Sequence, residues 1–220
     1  MLTENDIKQI LELGRSLGKI GLSNGVSAQM PKLIIDILKP PKDFIGVNSN
    51  PAIFVNKSTY QYWGKKHKNW IVNETIAIKD SFLKQPKLEV IGAIVHEIGH
   101  AFNVAANIAN TEANAYIFEI EVLNRLIPAN LELFNNISDE DIKSYFAMRL
   151  PYYKQAISSN AHLTELVDQI NRQFNLDPNL FTLTTFKAGA PDVNKLMFFQ
   201  QKRDVENELI LVNLALSTSK

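Results

Sequence analysis

Apolar residues near the start of the chain recur at three- and four-residue spacing: Ile7, Ile10, Leu11 and Leu17 would share one face of a helix. Thr3 followed three residues later by Asp6 has the form of a capping box, so this helix is expected to start there and run to about Gly18. Residues 21–25, bounded by glycines, read as a loop. Residues 30–38 are expected to form a shorter helix, ended by Pro40 and Pro41, which lack the N–H needed to continue it.

Between residues 44 and 80 the pattern changes. Residues 44–47, 52–55 and 75–78 are short β-prone runs broken by Asn, Ser and Pro, and they predict a small sheet. The basic run 64–69, Gly-Lys-Lys-His-Lys-Asn, reads as a solvated connection between strands. From Pro86 the helical period returns, with Leu88, Ile91, Val95, Ile98 and Phe102 in one stripe. A second helix is predicted over 111–127, ended by Pro128. Further helices should begin at Ser138, where Ser-Asp-Glu-Asp is another capping box, near Asn160 and near Asp192. Residues 209–220, apolar and then rich in Ser and Thr, read as a fraying last helix. The expected fold is α+β and mostly helical. It is a single domain over 1–220, with a mixed core over about 1–130 and a helical lobe over 131–220.

Composition narrows the function classes. With 45% hydrophobic and 21% charged residues the chain can build a real core. Lys plus Arg (23) balance Asp plus Glu (23), so the chain as a whole exerts no electrostatic pull on nucleic acid or an anionic membrane, and neither is expected as a partner. Cysteine is absent, so any tight metal site must be built from His, Asp and Glu. The polar, acidic N-terminus is not a Sec-type signal peptide, and no apolar stretch is long enough to span a bilayer. A soluble protein working in a cytosol is expected.

The chemistry is concentrated in His96-Glu97-Ile98-Gly99-His100, an HExxH pattern. Histidines four apart share a helix face one turn from each other, so both imidazoles can bind one metal ion. Glu97 is rotated off that stripe and can instead take the proton of an attacking water that zinc has made acidic. Two of the four histidines fall inside the pattern and its neighbours are uncharged, which argues against a plain pair of surface histidines.

A zinc site of this kind needs a third protein ligand and an open position. No His or Asp follows His100 closely, which leaves Glu112, Glu119 and Glu121. If the two helices fold back about a turn centred near Ala106, His100 and Glu112 stand at equal distances from it and face each other, so Glu112 is the expected ligand. Glu119, two turns further along the same face, could then hold the other nitrogen of His96. The ordinary reading of Glu119 and Glu121 is a solvated helix face. For stabilising an oxyanion the candidates are His162, Tyr145, Tyr152, Tyr153, Arg149 and Tyr116. His162 ranks first as a catalytic residue, because the helical lobe must cover the site with something.

His-Glu-Ile-Gly-His followed by Thr-Glu-Ala-Asn-Ala-Tyr resembles the gluzincin class of metallopeptidases. The run Glu-Ala-Asn-x-Tyr and the later Leu126-Ile127-Pro128 are similar to its ImmA/IrrE branch. The resemblance covers roughly residues 70–128. It departs from the thermolysin-like pattern at Tyr116, which stands where an Asp would fall. It implies a zincin-like fold with Zn2+ held by His96, His100 and Glu112, and a substrate bound as an extra strand beside the active-site helix, for which 75–78 is the nearest candidate edge. In size, lack of cysteine and Lys-, Asn- and Ile-rich composition the chain also resembles type IV-secreted bacterial effector proteases that cleave host actin. That resemblance implies a protein substrate, actin, met in a host cytosol. Two other functions compete: a regulatory peptidase cutting a separate repressor partner, and a non-catalytic interaction protein on a zincin scaffold, which would have no need of Glu97.

Overall fold

A computed structural model describes residues 2–40, 51–129, 132–157 and 160–176. Helix α1 (Glu4–Ile20) begins as its sequence demands. The Thr3 N–H donates to Asp6 Oδ2 at 2.7 Å, and Thr3 Oγ1 accepts from the Asp6 N–H at 3.2 Å. It runs two residues beyond the expected end and stops at Gly21, whose φ of 105° suits a residue without Cβ.

The expected helix over 30–38 does not form. Ile34–Leu38 is instead strand β1, in parallel register with a later strand. The β-branched residues Ile34, Ile35 and Ile37 are stiff at χ1 and fit a pleated surface better than a helix. The partner that rewards this choice lies some forty residues away, out of sight of any local window. Ala52–Phe54 forms β2 and Thr75–Lys79 forms β3, as the β-prone runs predicted. The run 44–47 lies outside the described residues. The order is β1-β3-β2, with β1 parallel and β2 antiparallel to the buried central β3.

The connection from β2 to β3 is more than a loop. Helix α2 (Lys57–Trp63), capped by Asn56 Oδ1 accepting from the Thr59 N–H at 2.8 Å, passes into a 3-10 turn over Gly64–Lys66. The first half of the basic run 64–69 therefore continues a helix, and the run does not join two strands directly. Its periodicity was hidden because α2 buries none of its residues and so carries no apolar stripe.

Helix α3 (Lys87–Ala105) and helix α4 (Glu112–Leu126) form a hairpin as expected, with Asn107 left-handed in the turn and Thr111 capping α4. At Gly99 a Cβ would stand 2.9 Å from the Ala115 carbonyl oxygen and 3.1 Å from Phe118 Cβ, so the glycine is what lets the two helices approach so closely. Helix α1 packs on α3 from another side. Helix α5 (Asp139–Ile157) begins after the Ser138–Asp141 capping box, and helix α6 (Ala161–Phe174) begins after Asn160. Both pack on α4, and one apolar core runs from Ile10 through Ile94 and Phe118 to Phe146 and Ile170. The helix start near Asp192 and the stretch 209–220 lie outside the described residues. Among the described residues no helix is long and apolar enough to cross a membrane.

Candidate metal centre

Helix α3 is surrounded by α1, α4, α5 and the sheet, so even its polar residues His96, Glu97, His100 and Asn103 are buried. His96 and His100 are 3% and 1% exposed, one turn apart, with their rings edge-to-face at 4.9 Å. The fold-back of α4 carries Glu112 to both. His96 Nε2 stands 3.0 Å from Glu112 Oε2, and His100 Nε2 stands 3.5 Å from Glu112 Oε1. The three residues can each offer a ligand atom within 4.8 Å of the others, a group able to hold a metal ion.

The far side of each imidazole is held as well. His96 Nδ1 lies 3.0 Å from Glu119 Oε2, and His100 Nδ1 lies 2.8 Å from Asn110 Oδ1. Both partners present an oxygen, so each Nδ1 donates its proton and each Nε2 is turned toward Glu112. At His96 two acceptor atoms 3.0 Å apart need a proton or a cation between them. The electrostatics agree: burial opposes the charged imidazolium, but the carboxylates of Glu112 and Glu119 outweigh it and raise the His96 pKa to about 9.

Glu119 is not the solvated residue that a helix face would suggest. It is fully buried, and its oxygens accept from Tyr145 Oη at 2.7 Å, Tyr153 Oη at 2.6 Å and Arg149 Nε at 2.9 Å, with Arg149 Nη2 on the oxygen that also meets His96. Burial pushes its pKa up, but the Arg149 charge and the His96 hydrogen bond prevail and lower it to about 2. This carboxylate stays ionised and fixes His96. Glu121 is also buried, at 5% exposure, but it points elsewhere. Seven residues after Glu112, Glu119 returns to the same face of α4; nine residues after, Glu121 lies half a turn round.

That rotation decides the fate of His162. Its Nε2 lies 3.0 Å from Glu121 Oε1 and 3.2 Å from Ser23 Oγ, so it belongs to a cluster on the side of α4 away from Glu112. Arg125 joins the same cluster, donating to Glu121 and to the Gly21 carbonyl. The expectation that His162 covers the metal group is therefore corrected: α6 meets α4 on the opposite face. Tyr145, Arg149 and Tyr153 are engaged with Glu119. Tyr116 packs its ring 4.9 Å from that of His96, and Tyr152 stacks near the Arg149 guanidinium at 5.4 Å. Asn110 was missed in the sequence. The partners of Glu119 had a signal that could have been read, since Tyr145, Arg149 and Tyr153 stand four residues apart in one helical stripe.

Glu97, 5% exposed, leaves the imidazole stripe as expected and meets the sheet. Its Oε2 accepts from the Phe54 N–H of β2 at 2.6 Å. The neighbouring Val55 N–H donates to Thr75 in β3, so by the alternation of a strand the Phe54 N–H points off the sheet edge toward α3. This corrects the expected docking strand. Residues 75–78 lie in the central strand, paired on both sides, and the edge beside the candidate centre is β2.

No known protein family, no curated protein and no solved structure matches this chain.

Proposed function

We propose that the chain is a zinc-dependent endopeptidase of the HExxH type, with a zincin-like catalytic core, acting on a protein substrate in a cytosol. The observation that carries this reading is the convergence of His96 Nε2, His100 Nε2 and Glu112 at one point, on the helix that carries Glu97 next to His96 in the chain. With zinc–ligand bonds of about 2.0–2.1 Å and tetrahedral angles, neighbouring donor atoms sit about 3.3 Å apart. His96 and His100 approach different oxygens of Glu112, at 3.0 and 3.5 Å, and one ligand atom from each residue lies within 4.8 Å of the others, so small movements would close the group on an ion. The donor set, two neutral imidazoles and a carboxylate with both outer nitrogens anchored, is one that zinc favours.

Zinc in this place would polarise the scissile carbonyl and make water a nucleophile near neutral pH. The chain supplies the rest. Glu97 takes the proton of the attacking water and returns it to the departing amine. The edge of β2 that pairs with no strand among the described residues offers main-chain groups to an extended substrate, and the Phe54 N–H, now given to Glu97, lies at the junction of the two. Actin is one substrate this reading allows, through the compositional resemblance to secreted effector proteases.

The test is metal analysis of the purified protein, with incubation against a cytosolic extract in the presence and absence of chelator. One zinc per chain and chelator-sensitive cleavage are expected. Glu97→Gln, which keeps an acceptor for Phe54, should retain zinc and fold and lose cleavage by about 10²-fold or more. A protein that binds no zinc would end the proposal. Zinc-loaded Glu97→Gln with an undiminished biological effect would leave a scaffold in its place.

A further inference from the structure

The stretch that follows β2 carries an unusual feature. From Val55 to Asn73 the chain has Lys57, Lys65, Lys66 and Lys68 and no acidic residue, although the whole chain is neutral. Helix α2 lies in this stretch and buries none of its residues, despite holding Tyr60, Tyr62 and Trp63. Tyr60, Tyr62 and Ile71 are 39%, 59% and 48% exposed, three of the four large hydrophobic side chains exposed among the described residues. A helix of seven residues has little stability of its own, and exposed apolar groups set among charges mark interaction sites.

Beneath this surface the support is firm. His67 stacks on Trp70 at 4.1 Å, and Trp70 Nε1 donates to Asp36 of β1 at 2.9 Å. None of the four lysines forms an ion pair with a carboxylate among the described residues; Lys66 instead lies 5.6 Å over the Trp63 ring. The stretch thus combines ammonium groups that meet no carboxylate among the described residues with exposed aromatic and aliphatic side chains. Its position matters: α2 starts three residues after Phe54, on the strand that reaches Glu97.

We propose that α2 and the following turn dock an acidic stretch of the polypeptide substrate, continuing the segment held on β2. Substrate carboxylates would meet Lys57, Lys65, Lys66 and Lys68, and apolar residues between them would rest on Tyr60, Tyr62 or Ile71. This rests on the peptidase reading, because it takes the ligand to be the peptide that crosses the β2 edge. A neutral chain with a local basic stretch suits recognition of a particular acidic segment better than general attraction to polyanions.

Fluorescence anisotropy on the full chain carrying Glu97→Gln tests it, with three probes: a fluorescein-labelled peptide of Asp and Glu interspersed with Leu and Phe, its counterpart with Lys at every acidic position, and a single-stranded oligonucleotide. Phosphatidylserine vesicles serve as a fourth probe in a sedimentation assay. The acidic peptide should bind at least tenfold tighter than the basic one, and the combined Lys65→Glu, Lys66→Glu and Lys68→Glu variant should weaken it tenfold or more. Tyr62→Ala should weaken it about threefold. Equal affinity for both peptides, an unaltered affinity in the triple variant, or tighter binding of the oligonucleotide or vesicles would overturn the proposal. The lysines are exposed, and circular dichroism confirms that the variant folds. Chelator should not change peptide binding, so failure of the metal chemistry and failure of this docking surface are told apart.

Discussion

His96 is clasped from both sides by carboxylates: Glu112 stands 3.0 Å from its Nε2 and Glu119 stands 3.0 Å from its Nδ1. The two acids come from one face of α4, two turns apart, yet their surroundings assign them different work. Glu112 faces both histidines, whereas Glu119 is neutralised by Arg149 and bonded by two tyrosines. The inner acid can serve a metal; the outer one orients the ring that does.

Removing the outer acid should therefore injure both affinity and stability. Glu119→Gln is expected to weaken zinc binding by about 10- to 100-fold, the usual result of losing a ligand's hydrogen-bond partner. It also takes from Arg149, only 12% exposed, its buried carboxylate partner, and losing one member of such a pair costs about 3–5 kcal/mol. Competition with a zinc-sensitive dye and a urea melt would measure the two effects. Unchanged zinc affinity would show that Glu119 does not orient His96.

A second test concerns the approach of α3 and α4. Gly99→Ala places a methyl group against the backbone oxygen of Ala115, which cannot yield as a flexible side chain could. The expected cost is about 1–3 kcal/mol in chemical denaturation, and zinc affinity should fall as Glu112 is pushed away. Wild-type stability in this variant would mean that the helices have room to spare.

The pH dependence of the metal-free protein follows from His96. Its pKa is raised from 6.5 to about 9, so folding is favoured by its protonation. That contribution is fully present below pH 6.5 and is lost as the pH rises through about 9. Thermal melts of chelated protein should show Tm falling across this window. Zinc requires the deprotonated imidazole, so loading should remove this dependence and, at pH 7.5, release a proton detectable by calorimetry in buffers of different ionisation enthalpy.

His162 offers a contrast. It lies with Glu121 and Ser23 on the far side of α4, so His162→Ala should leave zinc affinity within twofold of wild type. Losing its hydrogen bonds to the buried carboxylate should cost about 1–2 kcal/mol of stability. Glu121 has its pKa lowered: burial raises it, but hydrogen bonds from His162 and Ser23 prevail. Its contribution is thus present above the ordinary carboxylate range and lost in acid, a loss the His162→Ala variant should show less steeply in acid titration. A large fall in zinc affinity instead would return His162 to the metal centre.

The sequence by itself determined the parts of this protein that are local. The capping boxes at Thr3 and Ser138, the helical stripes of α1 and α3, and the spacing of His96, Glu97 and His100 all depend on neighbours within one or two turns. Even the choice of Glu112 needed only a hairpin of two adjacent helices. What the tertiary structure alone decided is non-local. Ile34–Leu38 became a strand because β3 offered it a partner, and β2 rather than β3 faces Glu97 because the order of strands in a sheet is not written in any one of them. Glu119 is buried and His162 turned away because α5 and α6 reach α4 on different faces. Periodicity tells a helix that it has an inside; only the packed neighbours determine which side chain meets which.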